Sequence, residues 1–333
     1  MSTPTPRSAR PTLADVAEAA GVSKTAVSYS LNRTGRVAED TRRVVLEVAE
    51  RLGYPIPESR PHSAGTIAAI LSPTRHHGET PNYYVSEVLA GVESAATARG
   101  YQVRISFWEG APPSLVRDPD VNGLLFIGGA FDPDALARLR RPGVLVGTSF
   151  SSLAHDAVLA DNRRGAYLAT SHLLRIGRTR LALINGPVDA PTSGEKLLGF
   201  NDALVEHGID PNDVPVRYAG FSTESGDDTA DALLRSATPP DALVTADDTI
   251  AVGALHAAHR RGLTLAQQLA IVGYGDGPMA ASTNPGLSSV RVFQRRMGTV
   301  AVQQLHAVLS NRTDRSMRIL IDPELVTRGS SQP

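Results

Sequence analysis

The chain has 333 residues, a formal net charge of −1 at pH 7 and no cysteine. This length predicts two or three domains, and the lack of cysteine excludes disulfides, zinc fingers and thiol catalysis. No apolar run reaches the roughly 18 residues of a membrane span, and the N-terminal MSTPTPRSARP contains no apolar signal core. We therefore expect a cytoplasmic protein with no membrane partner and a disordered leader over residues 1–11.

Residues 12–54 are predicted to form three short helices with a tight turn between the first two. Thr12 can cap the first helix, and Asp15 favours the positive N-terminal end of that helix. Gly21 follows the last residue of the apolar periodicity, where a left-handed stop is needed. Ser23 can then cap the second helix. This layout is typical of a helix-turn-helix DNA reader.

The second and third helices are each predicted to have a buried and an exposed side. The second helix extends to about Leu31, and the third begins near Glu39 and ends at Gly53. The exposed side of the second helix is predicted to carry Lys24, Thr25, Ser28 and Tyr29. The buried stripe of the third is predicted to contain Val44, Val45, Val48 and Leu52.

The exposed side of the second helix suits the reading of base edges. Lys24 can donate to guanine or phosphate, Thr25 can bond or touch a thymine methyl, and Tyr29 can do either. Phosphate contacts, which fix register without reading sequence, suit Arg36, Arg42, Arg43 and the backbone around Thr41. The alternative is a small helical bundle with a solvated polar face. Two capped helices around a turn of small residues argue against that alternative.

The segments TLADVAEAAGVS, AVSYSLN and VAEDTRRVVLEVAERLGY resemble the headpiece of LacI/GalR-type bacterial transcription regulators almost position for position. By that resemblance, Lys24, Thr25 and Tyr29 occupy base-reading positions, and Tyr54 occupies a backbone-contacting position. The resemblance implies double-stranded operator DNA as a partner, hence a nucleoid-associated location, and a homodimer. The predicted DNA-binding residues are Lys24, Thr25, Ser28, Tyr29, Arg36, Thr41 and Tyr54.

Residues 55–65, PIPESRPHSAG, are predicted to be a linker because they are rich in Pro, Ser and Gly. In the family, this stretch normally carries a hinge helix that inserts leucines into the minor groove and kinks the operator. The present sequence has no Ala-Arg-x-Leu-like motif, and its spacing is about one helical turn short. We therefore predict a looser tether or a different geometry on DNA.

From Thr66 onward, apolar strands alternate with amphipathic helices in two consecutive series, TIAAILS to AVLAD and RLALINGP to LAIVGYG. Apolar strands between helices predict parallel sheets that are covered on both faces, and two series predict two lobes. Ligands of such folds bind at the carboxyl ends of the strands, between the lobes. The predicted fold is an N-terminal all-α helix-turn-helix headpiece followed by a two-lobed α/β, periplasmic-binding-protein-like domain at residues 66–330.

The family resemblance extends over this second part through ADNRRGAYLATSHLL, KLLGFNDAL, DDTIAVGAL and IVGYGD. It implies three crossings between lobes, so we expect lobe 1 at about 66–160 and 291–320. Lobe 2 is expected at about 161–290 and 321–330. Helices near Tyr84–Arg99 and Asp248–Arg261 are assigned to the dimer contact as a hypothesis.

Several effector-binding residues follow from the resemblance one position at a time. Lys196 takes the place of an arginine that grips effector hydroxyls or carboxylates, and it offers a point donor where arginine offers a planar fork. The alternative for Lys196 is a solvated helix residue. Phe221 aligns with an aromatic that stacks on the effector ring, with core packing as the alternative. Lys196 and Lys24 are the only lysines in the chain.

The remaining predicted effector contacts lie at strand ends. Asp247 replaces the asparagine of the family's Asn-Asp pair, and Asp276 is the acid that remains in GYGDG, with a helix cap as the alternative for both. Three further candidates lie between the first strand and the next helix: Ser72, Asn82 and Tyr83. These departures from the family pattern predict an effector unlike its simplest sugars.

Two classes of function are compatible with this sequence. The first is a transcription repressor that is controlled by a sugar or related polar metabolite bound between the lobes. The second is a two-lobed sugar-binding transport module or a sugar-acting enzyme. The missing signal segment argues against the transport module. The missing Gly-x-Ser-x-Gly and His-Glu-x-x-His patterns argue against the enzyme, so we predict no catalytic residue, metal or cofactor.

Overall fold

The computed structural model describes residues 11–31, 37–54, 65–72, 83–129, 131–310 and 315–332. The chain divides into two compact units, Met1–Ser63 and Ala64–Pro333. None of the described helices is both long enough and apolar enough to cross a membrane.

The described part of the first unit contains the helices α1 (Leu13–Ala20), α2 (Lys24–Leu31) and α3 (Glu39–Leu52). Thr12 and Asp15 form a reciprocal capping box at the start of α1. The Asp15 carboxylate accepts the Thr12 backbone N–H at 2.6 Å. This hydrogen bond, together with one from the Thr12 side chain, lowers the pKa of Asp15. Gly21 ends α1 at a φ of 67°, a left-handed conformation that glycine adopts without a steric penalty.

The three helices of the first unit enclose a small apolar core. Its buried members are Val16, Ala17, Val27, Leu31, Val45, Val48 and Ala49. The predicted stripe of α3 is wrong at Val44 and Leu52, which are 40% and 37% exposed. Val44 precedes Val45 by about 100° around the helix, so the two cannot share the inner face, and Ala49 occupies an inner position instead.

Strands of the second unit are, in chain order, β1 (Gly65–Leu71), β2 (Tyr101–Phe107), β3 (Val121–Ile127), β4 (Gly143–Val146), β5 (Asp156–Ala160), β6 (Leu181–Asn185), β7 (Val216–Tyr218), β8 (Ala242–Thr245), β9 (Ala270–Gly275), β10 (Ser288–Arg291), β11 (Arg318–Ile321) and β12 (Glu324–Val326). Sheet 1 has the order β11-β5-β4-β3-β1-β2, and sheet 2 the order β12-β10-β9-β8-β6-β7. Every pairing is parallel except that of β10 with β12. The predicted fold class is confirmed.

Helices of the second unit are α4 (Tyr83–Thr97), α5 (Pro133–Ala137), α6 (Asn162–Arg175), α7 (Pro191–Glu206), α8 (Thr223–Leu234), α9 (Asp248–Arg260), α10 (Pro278–Ser282) and α11 (Gln294–Leu309). The chain passes from sheet 1 to sheet 2 after β5 and returns between β10 and α11, which packs on α4 and sheet 1. It passes to sheet 2 again between β11 and β12.

Several of these elements were not predicted, namely α10, β10, α11, β11 and β12. In β10, Ser288 and Ser289 are fully buried, which hydropathy does not anticipate. The C-terminal segment satisfies the first of them, because Ser330 Oγ accepts the Ser288 N–H at 2.8 Å and Ser331 Oγ donates to Ser288 Oγ at 2.7 Å. A buried strand of serines therefore depends on partners more than 40 residues away.

The contact between α4 and α11 requires glycine on both helices. A methyl group at Gly298 would overlap the Val88 carbonyl, and one at Gly91 would overlap the Arg295 carbonyl. The close approach brings the Arg295 guanidinium within 3.1 Å of the Glu87 carboxylate.

Gly298→Ala should lower the free energy of unfolding of the second unit by about 2–3 kcal/mol, because the added methyl group meets backbone that cannot rotate away. Gly194→Ala is the matched control, since this exposed helical glycine has no atom within 4 Å of an added Cβ. The control should be neutral or stabilising by up to about 1 kcal/mol. Urea unfolding of both variants tests this contrast, and equal midpoints would contradict the packing account.

Candidate functional site

Helix α2 presents a polar surface to solvent and an apolar one to the core of the first unit. Ser23 Oγ accepts the Ala26 N–H at 3.1 Å, which caps the helix as predicted. Lys24 and Thr25 are exposed, and Tyr29 is 42% exposed. The half-buried Ser28 lies between them, whereas Val27, Ser30 and Leu31 are buried. The exposed side therefore carries an ammonium, hydroxyls and a flat ring within about 140° of the helix circumference.

The other predicted DNA contacts differ in how far they are described. Thr41 is half-buried in the first turn of α3. Tyr54 packs half-buried against the core of the first unit, and its N–H donates to the Ala49 carbonyl at 2.9 Å. Arg36 lies outside the described residues, as do Asn82 and residues 55–64 of the predicted linker.

A cavity of about 890 Å³ lies between the carboxyl ends of the strands of the two sheets. From the side of sheet 1 it is lined by Ser72, Tyr83, Tyr84, Trp108, Gly128, Phe131, Asp132 and Gly147. From the side of sheet 2 it is lined by Asp189, Lys196, Phe221, Asp247, Asp248, Thr249, Tyr274 and Gly275, among others. We call this cavity the cleft. Five of the predicted effector contacts lie in it, namely Ser72, Tyr83, Lys196, Phe221 and Asp247.

Lys196 is buried in the cleft wall, so the solvated alternative for this residue is wrong. Its side chain is 6% exposed, and its Nζ donates to the Ala246 carbonyl at 2.7 Å. The same Nζ lies 4.2 Å from the centroid of the Tyr274 ring, a cation–π distance. Burial lowers the pKa of Lys196 to about 8, although Asp247 and Asp248 oppose that shift.

Tyr274 connects Lys196 to the first crossover between the sheets. The Tyr274 hydroxyl donates to Asn162 Oδ1 at 3.2 Å, and Asn162 Nδ2 donates to Glu195 at 3.2 Å. Asn162 is the first residue of α6 and follows Asp161, whose carboxylate caps that helix by accepting the Arg164 N–H. A ligand that displaces the Lys196 ammonium would therefore disturb a ring that is bonded to the crossover.

Aromatic rings form the wall of the cleft on the side of sheet 1. Trp108 and Phe131 pack edge to face, with centroids 5.6 Å apart, and Phe126 lies behind them at 5.6 Å from Phe131. Trp108 is the only tryptophan in the chain. Sequence reasoning missed both Trp108 and Phe131. Trp108 follows β2 as Ser72 follows β1, so inspecting every strand end would have found it.

Asp247 and Asp248 contribute two adjacent carboxylates. Asp247 caps α9 by accepting the Thr249 N–H at 2.7 Å, which confirms the helix cap. It also lines the cleft, where its contact with an effector stays a prediction. Asp248 accepts the Ser289 hydroxyl at 2.5 Å and the Gly277 N–H at 3.0 Å. Burial raises the pKa of Asp248 to about 6, and the nearby Asp247 adds to that shift.

Asp276 is not among the residues that line the cleft, which corrects its prediction as an effector contact. Its carboxylate is 2% exposed and lies 2.7 Å from Arg291 and 2.7 Å from Arg328. It is not a helix cap either, because Gly277 holds that position for α10. The two guanidinium groups face Asp276 from β10 and from the C-terminal segment, and the motif GYGDG alone could not predict them.

The cleft has an acidic balance of charge. Among its described lining residues, four are carboxylic acids, and Lys196 is the only base. The acids are Asp132, Asp189, Asp247 and Asp248. The Lys196 ammonium already contacts a carbonyl and an aromatic ring. The cleft thus offers hydrogen-bond acceptors and ring faces rather than a positive field.

Comparison with known proteins identifies the family. A model described as "Bacterial regulatory proteins, lacI family" matches residues 12–57, and a periplasmic binding protein-like domain model matches residues 170–331. The transcriptional regulator DegA of Bacillus subtilis (strain 168) is 31% identical, over 97% of this chain and 98% of its own. The chain belongs to the lacI family of bacterial regulatory proteins.

Other relatives and solved structures agree with this assignment. The transcriptional repressor PurR of Aliivibrio salmonicida (strain LFI1238) is 28% identical to this LacI-family protein, over 96% of the chain and 98% of its own length. A Lac repressor dimer bound to operator and the anti-inducer ONPF gives a TM-score of 0.74 at 25% identity, covering 98% of this chain and 100% of that one. The regulator CelR in complex with cellobiose gives a TM-score of 0.72 at 27% identity, covering 96% of this chain and 100% of that one. These relatives are transcription regulators rather than enzymes.

Lys196→Met should remove a pH dependence of stability from this LacI-family protein. The folded-state pKa of Lys196, about 8, lies below its ordinary value of 10.5, so between these values the unfolded chain binds more protons. The buried ammonium destabilises the folded state at neutral pH. The free energy of unfolding therefore rises as the pH increases through this window. We expect the free energy of unfolding of the wild type to gain about 2 kcal/mol relative to the variant between about pH 7.5 and 10.

The control for this experiment is Lys24→Met, which removes the exposed lysine of the first unit. Urea unfolding at each pH should give the control the same pH dependence as the wild type. Parallel curves for the wild type and Lys196→Met would show that Lys196 titrates as an ordinary lysine.

Proposed function

We propose that this LacI-family protein is a transcriptional repressor that reads operator DNA with α2 and responds to a sugar-like effector bound in the cleft. The exposed side of α2 is the observation that carries the DNA half of the proposal. Lys24, Thr25 and Tyr29 are held outward by a capped helix whose opposite side is buried. Donors in this arrangement suit the major groove, where each base pair presents a distinct pattern of hydrogen-bond donors and acceptors.

A homodimer is part of the proposal because a helix-turn-helix reader gains specificity from two half-sites at a set separation. Strand β2 is the edge of sheet 1, and its Ile105 and Phe107 are 51% and 48% exposed. An apolar edge of this kind is normally covered. We assign β2 and the neighbouring α4 to the dimer contact of this chain. The similar Lac repressor is itself a dimer. Helix α9 is a weaker candidate, because α8 and sheet 2 already bury most of it.

The proposed effector is a polyhydroxylated ligand that is uncharged or cationic. The carboxylates of the cleft can accept hydroxyl or ammonium protons, and its aromatic rings can cover the apolar face of a sugar ring. Anionic ligands would meet four acids with only Lys196 in compensation. The cellobiose complex of the similar regulator CelR supports a sugar as the ligand class.

The proposed route from effector to DNA runs through the crossovers between the lobes. A ligand that contacts Lys196 would act on Tyr274 and, through its hydroxyl, on Asn162 at the first crossover. A ligand shifts an equilibrium only by its difference in affinity for two states, so closing of the lobes around the ligand is the expected transition. Altered spacing of two headpieces would then change operator affinity.

Lys24→Ala and Tyr29→Ala should each weaken binding to the selected operator by about 1–3 kcal/mol and relax its sequence preference. Random DNA should be affected much less, because phosphate contacts supply most of that affinity. Operator selection followed by fluorescence anisotropy on both DNAs measures the difference. Arg51→Ala, at an exposed cation of α3, should alter both affinities by the same factor. If the α2 variants lose the same affinity for operator and for random DNA, α2 does not read bases.

Ligand selectivity can be read from Trp108, whose fluorescence reports on the cleft wall. Matched sets of a neutral sugar, its amino derivative and its carboxylate derivative should be titrated into the intact chain. We expect at least about tenfold weaker binding of the carboxylate than of the neutral parent. Asp247→Asn should narrow this difference, because it removes one of the repelling charges. Preference for the carboxylate would contradict the proposed ligand class.

A further inference from the structure

A second cavity lies in the part of the chain that builds sheet 1, and it shares no residue with the cleft. Its volume is about 410 Å³. It is lined by Pro112, Val116, Arg117, Ala135, Arg138, Leu139, Arg140 and Arg141, and we call it the arginine pocket.

The arginine pocket lies at the amino ends of β3 and β4, which is the end of sheet 1 opposite the cleft. Arg117 ends the 3₁₀ turn that precedes β3, and Arg141 stands two residues before β4. Because β3 and β4 are parallel, their amino ends share one edge of the sheet and their carboxyl ends share the other. The cleft and the arginine pocket can therefore be occupied at the same time.

Four arginines line this pocket, and one of them, Arg141, helps to lower the pKa of the Asp118 carboxyl. Arg117, Arg138 and Arg140 are exposed, and none of them has a described carboxylate within 4.0 Å. Arg141 is half-buried and donates to the Val121 carbonyl, which fixes it at the start of β3. Arg104 in the same lobe behaves differently, since it lies 2.7 Å from Asp118.

The floor of the arginine pocket is apolar. Val116 is 2% exposed, and Ala135 and Leu139 are half-buried beside it. A ligand bound there would place its apolar part on these carbon atoms and its charged end beside up to four guanidinium groups. A concave site of this volume fits a small molecule, whereas an exposed basic ridge would suit an extended polyanion.

We propose that the arginine pocket is a second ligand site, separate from the cleft, for a small phosphorylated metabolite that carries at least two negative charges. Guanidinium forks bind phosphate oxygens in pairs, which favours phosphate groups over single-charged ions. Like charges around one cavity repel each other, and a polyanion relieves that repulsion. Phosphate groups are offered both by free metabolites and by DNA, and the concave shape and apolar floor of the pocket favour the metabolite.

Isothermal titration of the intact chain with inorganic pyrophosphate at constant ionic strength tests the proposal. We expect one site per chain and at least about tenfold weaker binding of inorganic phosphate, which cannot span the guanidinium groups. The double variant Arg138→Gln/Arg140→Gln should weaken pyrophosphate binding by at least about tenfold. Both side chains are exposed, so its thermal unfolding should match that of the wild type.

The matched control is Arg217→Gln/Arg315→Gln, which removes the same charge from exposed positions elsewhere in the second unit. It should change the affinity for pyrophosphate by less than about twofold. Equal losses in both double variants would show general charge attraction and overturn the proposal, as would the absence of a one-to-one site. If non-operator duplex DNA displaces pyrophosphate, and the pocket variant loses DNA affinity in proportion, the site takes DNA phosphates and the metabolite assignment is wrong.

Discussion

The parallel direction of the strands is the constraint on which the second unit depends. Parallel strands have their carboxyl ends at the same end of the sheet, so the residues that follow the strands lie close together there. In this chain the carboxyl ends of both sheets face one cleft. Trp108 after β2 and Asp247 after β8 meet there for this reason. The opposite edge of sheet 1 gathers the segments that precede its strands. That arrangement brings the arginines before β3 and β4 together.

Acidic and basic side chains are concentrated at opposite ends of the strands of sheet 1. The cleft carries four acids and one buried lysine, whereas the pocket at the opposite edge carries four arginines. The cleft lysine is itself destabilised by burial and held by a carbonyl and a ring. A ligand that supplies better partners for Lys196, Asp247 or Asp248 would release part of that cost, so cleft occupancy can be coupled to lobe geometry.

Local signals in the sequence were sufficient for much of the fold. The capping pair Thr12 and Asp15, together with the left-handed Gly21, act within a few residues, and the structure shows them as predicted. The features that local signals could not reveal depend on distant partners. Burial of Lys196 rests on a carbonyl 50 residues away, and Asp276 is neutralised by arginines from β10 and the C-terminal segment. The apolar periodicity could not reveal β10, whose Ser288 is satisfied by Ser330 and Ser331 and whose Ser289 donates to Asp248.

The central claim is that the cleft and the DNA-reading surface are coupled, and thermodynamic reciprocity tests it most directly. A ligand that changes Trp108 fluorescence can be titrated into the intact chain with and without saturating operator DNA. The account predicts that its affinity differs by at least about fivefold between the two conditions, and that the ligand changes operator affinity by the same factor. An identical ligand affinity for the free and the operator-bound protein would contradict the account.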